Sequence, residues 1–237
     1  EVRQMIRYYK EVGAIKPELT EDGIIADIKP WYDNYCFAKS SFGKEPSMFN
    51  SDMVCYYMST LVDTGSKPED MVDPNTKTDY KKLRNLIEIG NMTEERRQTI
   101  YDIVHTGYTI ATINSYFPAE SITDADNFIS LLFYYGMLTI RGTLGAALKL
   151  GIPNNNVRIQ YYNYLMQAFQ QIHPTGLNSL TLPFYQAAMR GDWRPMMDCI
   201  LKAYHDTTAV RQLIEGERNL QGFMNAYLTL TNYYLVA

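Results

Sequence analysis

Residues 127–166, NFISLLFYYGMLTIRGTLGAALKLGIPNNNVRIQYYNYLM, decide how the chain reads. The first part is apolar at helical spacing, and the order helix, short hairpin, helix is the plan of a winged helix. MLTIR (137–141) and AALKL (146–150) are strand-like runs, with GTLG (142–145) as the turn. The first helix is predicted over 124–135. The second opens at Pro153 to Asn156 and carries Val157, Tyr161, Tyr164 and Leu165 on one face.

Working outward, helices dominate. Val2, Met5, Ile6 and Tyr9 follow the i, i+3, i+4, i+7 rule, and Gly13 is the stop. A helix is predicted over Asp22 to Ile28, ending near Pro30. The aromatic and turn residues around Asp33, Asn34 and Gly43 predict a small hairpin. Asn50 or Ser51 caps a helix carrying Val54, Tyr57, Met58 and Leu61. After a loop over 63–78, helices are predicted around Tyr80, Leu83 and Ile87, and from Thr93 through Val104. Thr123 with Asp126 has capping-box spacing. Beyond His173 and Pro174 come helices over Pro183 to Arg190, Asp192 to Tyr204, and from Ala209 onward. The expected fold class is mainly α, a helical bundle with an embedded winged-helix-like unit and small β-hairpins. Its parts are a helical region over 1–120, the winged-helix-like unit over 121–173 and a helical region over 174–237.

Composition narrows the function classes. Hydrophobic content of 46% with 20% charged residues is that of a globular chain. The 20 tyrosines imply helix interfaces that are apolar yet partly wet. Cys36, Cys55 and Cys199 are widely spaced and odd in number, which suits reduced thiols and a cytoplasmic setting. No apolar run reaches the roughly 18 residues of a membrane span. The missing first methionine and the apolar ending NAYLTLTNYYLVA (225–237) lead us to expect a piece of a longer protein. The exposed run from Tyr227 to Leu235 would fold back or make a homodimer.

No complete catalytic motif is present. A P-loop requires glycines that let backbone amides approach phosphate, but Gly43-Lys44 has Ala38 and Glu45 at the two other defining positions. GxGxxG, HExxH and GxSxG do not occur. His105, His173 and His205 lie far from one another and from the cysteines, so zinc spacing is lacking. Asp124 and Asp126 sit at a helix start, where dipole and cap roles are the better reading than a catalytic pair.

One asymmetry stands out. The chain carries a net charge of −4, yet the 65 residues from Asn127 to Gly191 contain no Asp or Glu and carry Arg141, Lys149, Arg158 and Arg190. Arg141, Lys149, Asn154 and Arg158 thus form a candidate face. That face either docks on another domain or meets the phosphates of DNA or RNA. Docking is the preferred reading, because a helix that reads DNA is normally richer in Lys and Arg.

Several stretches together resemble the predicted AAA-ATPase-like family of Bacteroidetes. These are EVRQMIRYYKEVG (1–13), WYDNYCFA (31–38), with Asn34 where the family has glycine, and MFNSDMVCYYM (48–58). MVDPNTKTDYKKLRNLI (71–87), the 133–165 run and QAAMRGDWRPMMDCI (186–200) follow the family pattern as well. The resemblance implies a parent protein with a P-loop ATPase module that uses ATP and Mg, a winged-helix region, and a C-terminal PD-(D/E)XK nuclease-like domain. This chain would be its middle, without P-loop or nuclease core. In GERNLQGF (216–223), Glu217 would match the glutamate that supports the nuclease metal site, with Leu220 and Gln221 standing where the family has Tyr and His. From the residues alone, Glu217 reads as a solvated helix glutamate. The resemblance implies a non-catalytic regulatory and connecting piece, with no metal or cofactor of its own. Its partners would be the ATPase and nuclease-like domains. The alternative is a nucleic-acid-binding winged-helix module.

Overall fold

The computed structural model describes residues 1–73, 94–116, 121, 125–172 and 178–205, together with 224 and 228. Eight helices and three strands are formed among them: α1 (Val2–Glu11), α2 (Glu21–Tyr32), α3 (Ser51–Thr64), α4 (Glu94–Thr106), β1 (Tyr108–Ala111), α5 (Ala125–Tyr134), β2 (Thr139–Leu144), β3 (Ala147–Gly151), α6 (Asn155–Ile172), α7 (Asn178–Arg190) and α8 (Arg194–His205). The chain is mainly helical with one small antiparallel sheet. The predicted helices around Tyr80 to Ile87 and from Ala209, the Thr93 and Thr123 caps, Glu217 and the Tyr227–Leu235 run lie outside the described residues, Leu228 apart.

Two compact units result, one of Glu1–Asn91 with Tyr108–Arg158, the other of Met92–Gly107 with Ile159–Ala237. In the first, the Thr20 hydroxyl accepts from the Gly23 amide and caps α2. The Asn50 side chain accepts from the Met53 amide and caps α3. These caps satisfy amides that the helix itself leaves unpaired. α1, α2 and α3 then bury Ile6, Ile24, Ile28, Tyr32, Tyr57 and Leu61 together. Pro30 sits inside α2, which ends at Tyr32, two residues past the proline near which it was expected to stop. Pro30 brings no amide for the Ala26 carbonyl, so the last turn of α2 lacks one bond of the helical ladder.

The sheet has strand order β1-β3-β2, antiparallel throughout. β2 and β3 extend the predicted hairpin inward, so the turn tightens to Gly145 and Ala146, and Gly145 has φ +59°. Leu148 and Leu150 of β3 are buried while Lys149 between them is exposed, the two-residue alternation of a half-covered sheet. The register shifts between Ile140 and Gly142, so Arg141 is the extra residue of a bulge. The hairpin expected near Asn34 and Gly43 reduces to one bridge, Tyr35 with Met48.

In the second unit α7 and α8 pack on each other. Leu180, Phe184, Met196 and Ile200 are buried. Gly191, at φ +70°, closes α7 with its amide on the Ala187 carbonyl.

Candidate functional site

Three of the residues that the sequence singles out, Arg141, Asn154 and Arg158, fall around one connector, Asp33 to Phe37, between α2 and the loop leading to α3. Asn34 has φ +77°, the left-handed region that glycine favours and asparagine tolerates better than other side chains. That turn aims successive backbone groups in different directions. The Cys36 amide donates to the Thr139 hydroxyl at 2.7 Å, and the Cys36 carbonyl accepts from that hydroxyl at 3.2 Å. The Ile140 amide donates to the same carbonyl at 3.0 Å. On the other side, Tyr35 and Met48 exchange amide and carbonyl bonds at 3.1 and 2.9 Å. The Tyr35 ring stacks on Phe37, which meets Phe133 of α5 edge-on.

Asp33 is the buried acid of the connector, 3% exposed. Its carboxylate accepts from the Ser47 hydroxyl at 2.7 Å. Its backbone carbonyl accepts from the Asn154 side-chain amide at 3.0 Å. Asn154 itself is 4% exposed, and its side-chain oxygen accepts from the Val157 amide at 3.2 Å, so it caps α6. One buried asparagine therefore joins the connector to the start of α6.

Arg141 lies on the bulge. Its Nη2 donates to the Ile152 carbonyl at 2.8 Å and the Pro153 carbonyl at 2.9 Å, the two residues before Asn154. Burial pulls the Arg141 pKa down, the Arg158 charge adds to that, and Asp33 opposes it. Arg141 and Arg158 thus share one electrostatic neighbourhood, with Asp33 as the counter-charge. Arg158 is half-buried in the first turn of α6. Lys149 lies apart from them: its ammonium stands 3.8 Å above the centre of the Tyr108 ring on β1, a cation–π contact on the exposed sheet face. Glu217 lies outside the described residues.

A cleft of about 230 Å³ opens beside the connector, lined by Asn34, Cys36, Phe42, Gly43, Ser47 and Arg141 among others. Sequence reading missed Asp33, Ser47 and Thr139. The available signal was an acid flanked by tyrosines in WYDNY, where a charge amid rings needs a partner. Chemically, this arrangement is a clamp. Carboxylate, amide and guanidinium are each turned onto groups of the same chain, holding hairpin, connector and the first turn of α6 in one geometry.

Among the described residues, no helix is long and apolar enough to cross a membrane. Cys36, Cys55 and Cys199 are unpaired. No protein-family model, curated protein or solved structure matches this chain.

Proposed function

We propose that the chain is a non-catalytic connecting and regulatory module of a larger ATPase–nuclease protein of the kind its sequence resembles. In this reading α5, β2, β3 and α6 make the winged-helix-like unit, with β1 as a third strand. The ATPase and nuclease-like domains are its partners, and ATP and Mg act in the ATPase. The observation that carries the reading is what the candidate face does within the chain. Asn154 is buried in a cap, Arg141 fastens the Ile152 and Pro153 carbonyls, and Lys149 rests on Tyr108. Polar groups engaged within the chain this way serve rigidity, and rigidity suits a connecting piece.

The second reading, a nucleic-acid-binding module, draws on Lys149 being exposed on β3. Titration into labelled duplex and single-stranded DNA at two salt concentrations separates the two. The connecting module is expected not to bind at low salt. Binding with a log–log salt slope near −1.8, lost in Lys149→Ala/Arg158→Ala, would make phosphate contact the function, since two cations would then release counterions. Arg141 is left intact in that variant because its loss would disturb the clamp.

A further inference from the structure

Away from the clamp, a hollow of about 500 Å³ lies between the start of α2 and the end of α3. That volume is in the range of small-molecule sites. Leu19, Ile24 and Leu61 give it apolar lining, and Tyr57, Asp27 and Lys67 bring the polar groups. Tyr57 is buried, and its hydroxyl donates to Asp27 Oδ2 at 3.2 Å, which fixes the carboxylate on the wall. The other oxygen, Oδ1, accepts from Lys67 Nζ at 3.3 Å. That is long for a charge-assisted bond, which settles near 2.7–2.9 Å. The Lys67 side chain is 61% exposed and extends from the segment after α3. Exposed pairs of this kind hold their partner weakly.

The other charges around the hollow are of both signs. Glu18 lines the same hollow, and α3 ends there at Gly65, where the Lys16 side chain already lies against the helix end and offsets its partial negative charge. A carboxylate fixed by Tyr57, beside the partly exposed Leu19 side chain, matches an ammonium on a hydrocarbon stem. Lys67 has that chemistry, and reaches the carboxylate from outside.

We propose that this hollow binds a small primary amine with an apolar stem, whose ammonium displaces Lys67 from Asp27. The proposal does not depend on the connecting role. Calorimetric titration of the full chain with n-pentylamine tests it, with hexanoate as the anionic control of similar length. Saturable binding of the amine is expected. Lys67→Met removes the competing cation while keeping the stem, and should tighten binding about tenfold, the effect of one charge-assisted bond. Asp27→Asn keeps an acceptor for Tyr57 but removes the charge, and should weaken binding by about the same factor. Failure of n-pentylamine to saturate the Lys67→Met chain overturns the proposal, and that exposed substitution leaves the fold intact. Equal affinity for a folded Asp27→Asn chain, or preference for hexanoate, overturns it as well.

Discussion

Asn154 shows how one side chain can serve two elements. Its amide nitrogen holds the Asp33 carbonyl and its oxygen caps α6. Asn154→Ala leaves a buried carbonyl and a helix amide unpaired, and should cost about 2 kcal/mol of stability. Urea unfolding followed by circular dichroism would read this, and a loss below about 0.5 kcal/mol would mean that the clamp is not holding the fold. Asn34 tests the turn in the same way. At φ +77°, Asn34→Gly should be nearly neutral, while Asn34→Val should cost about 1–2 kcal/mol, because a β-branched side chain fits the left-handed region worst. Part of this was legible in the sequence. Asn34 sits among the turn residues that predict a reversal of the chain after α2, and an asparagine at a helix start announces a cap. What could not be read was exposure: Asn154 is buried by a segment 121 residues away in the chain, and local pattern carries no record of such distance.

Among the elements, α1 and α2 are joined by charge. Arg3 Nη1 and Arg7 Nε donate to the two oxygens of Glu21, at 2.6 and 2.8 Å. The Arg7 hydrogen bond and then that of Arg3 hold the Glu21 carboxyl at about 2, down from 4.5. The folded pKa lies below the unfolded one, so this contribution is fully present above about pH 4.5 and disappears as pH falls toward 2. In thermal unfolding across that range, Glu21→Gln should be the less stable chain at pH 6 and should converge on the parent near pH 2. Added salt should narrow the gap, since the groups are exposed to solvent. A gap unchanged from pH 6 to pH 2 would show that the pair is not the source. The helices were mostly legible because their apolar spacing repeats over several turns. Val54, Tyr57, Met58 and Leu61 are all buried, as the spacing of α3 predicts. β1 was not legible. YTIA is four residues long, directly after a helix, and acquires strand character only by pairing with β3.

For the whole molecule, the acid-free segment sits in a chain of net charge −4. With Arg141 held by carbonyls and Lys149 on a ring, the chain should pass unretained through a heparin column at about 0.15 M salt, where charges farther than about 8 Å are screened. Retention lost in Lys149→Ala/Arg158→Ala would favour the nucleic-acid reading instead. The acid-free composition was visible in the sequence; the engagement of Arg141 and Asn154 with backbone carbonyls was not, because it is set by the bulge at Arg141 and by the distant connector. That connector also imposes an order in time. The turn at Asp33 and Asn34 leaves the ribosome long before its partners at Thr139 and Asn154. At about 5–20 residues per second, the 121 residues separating Asp33 from Asn154 take roughly 6–24 s to synthesise. The Cys36 amide waits 103 residues for Thr139 and the Asp33 carbonyl 121 for Asn154, so the nascent chain carries an unfinished edge whose last bond closes when α6 begins to emerge.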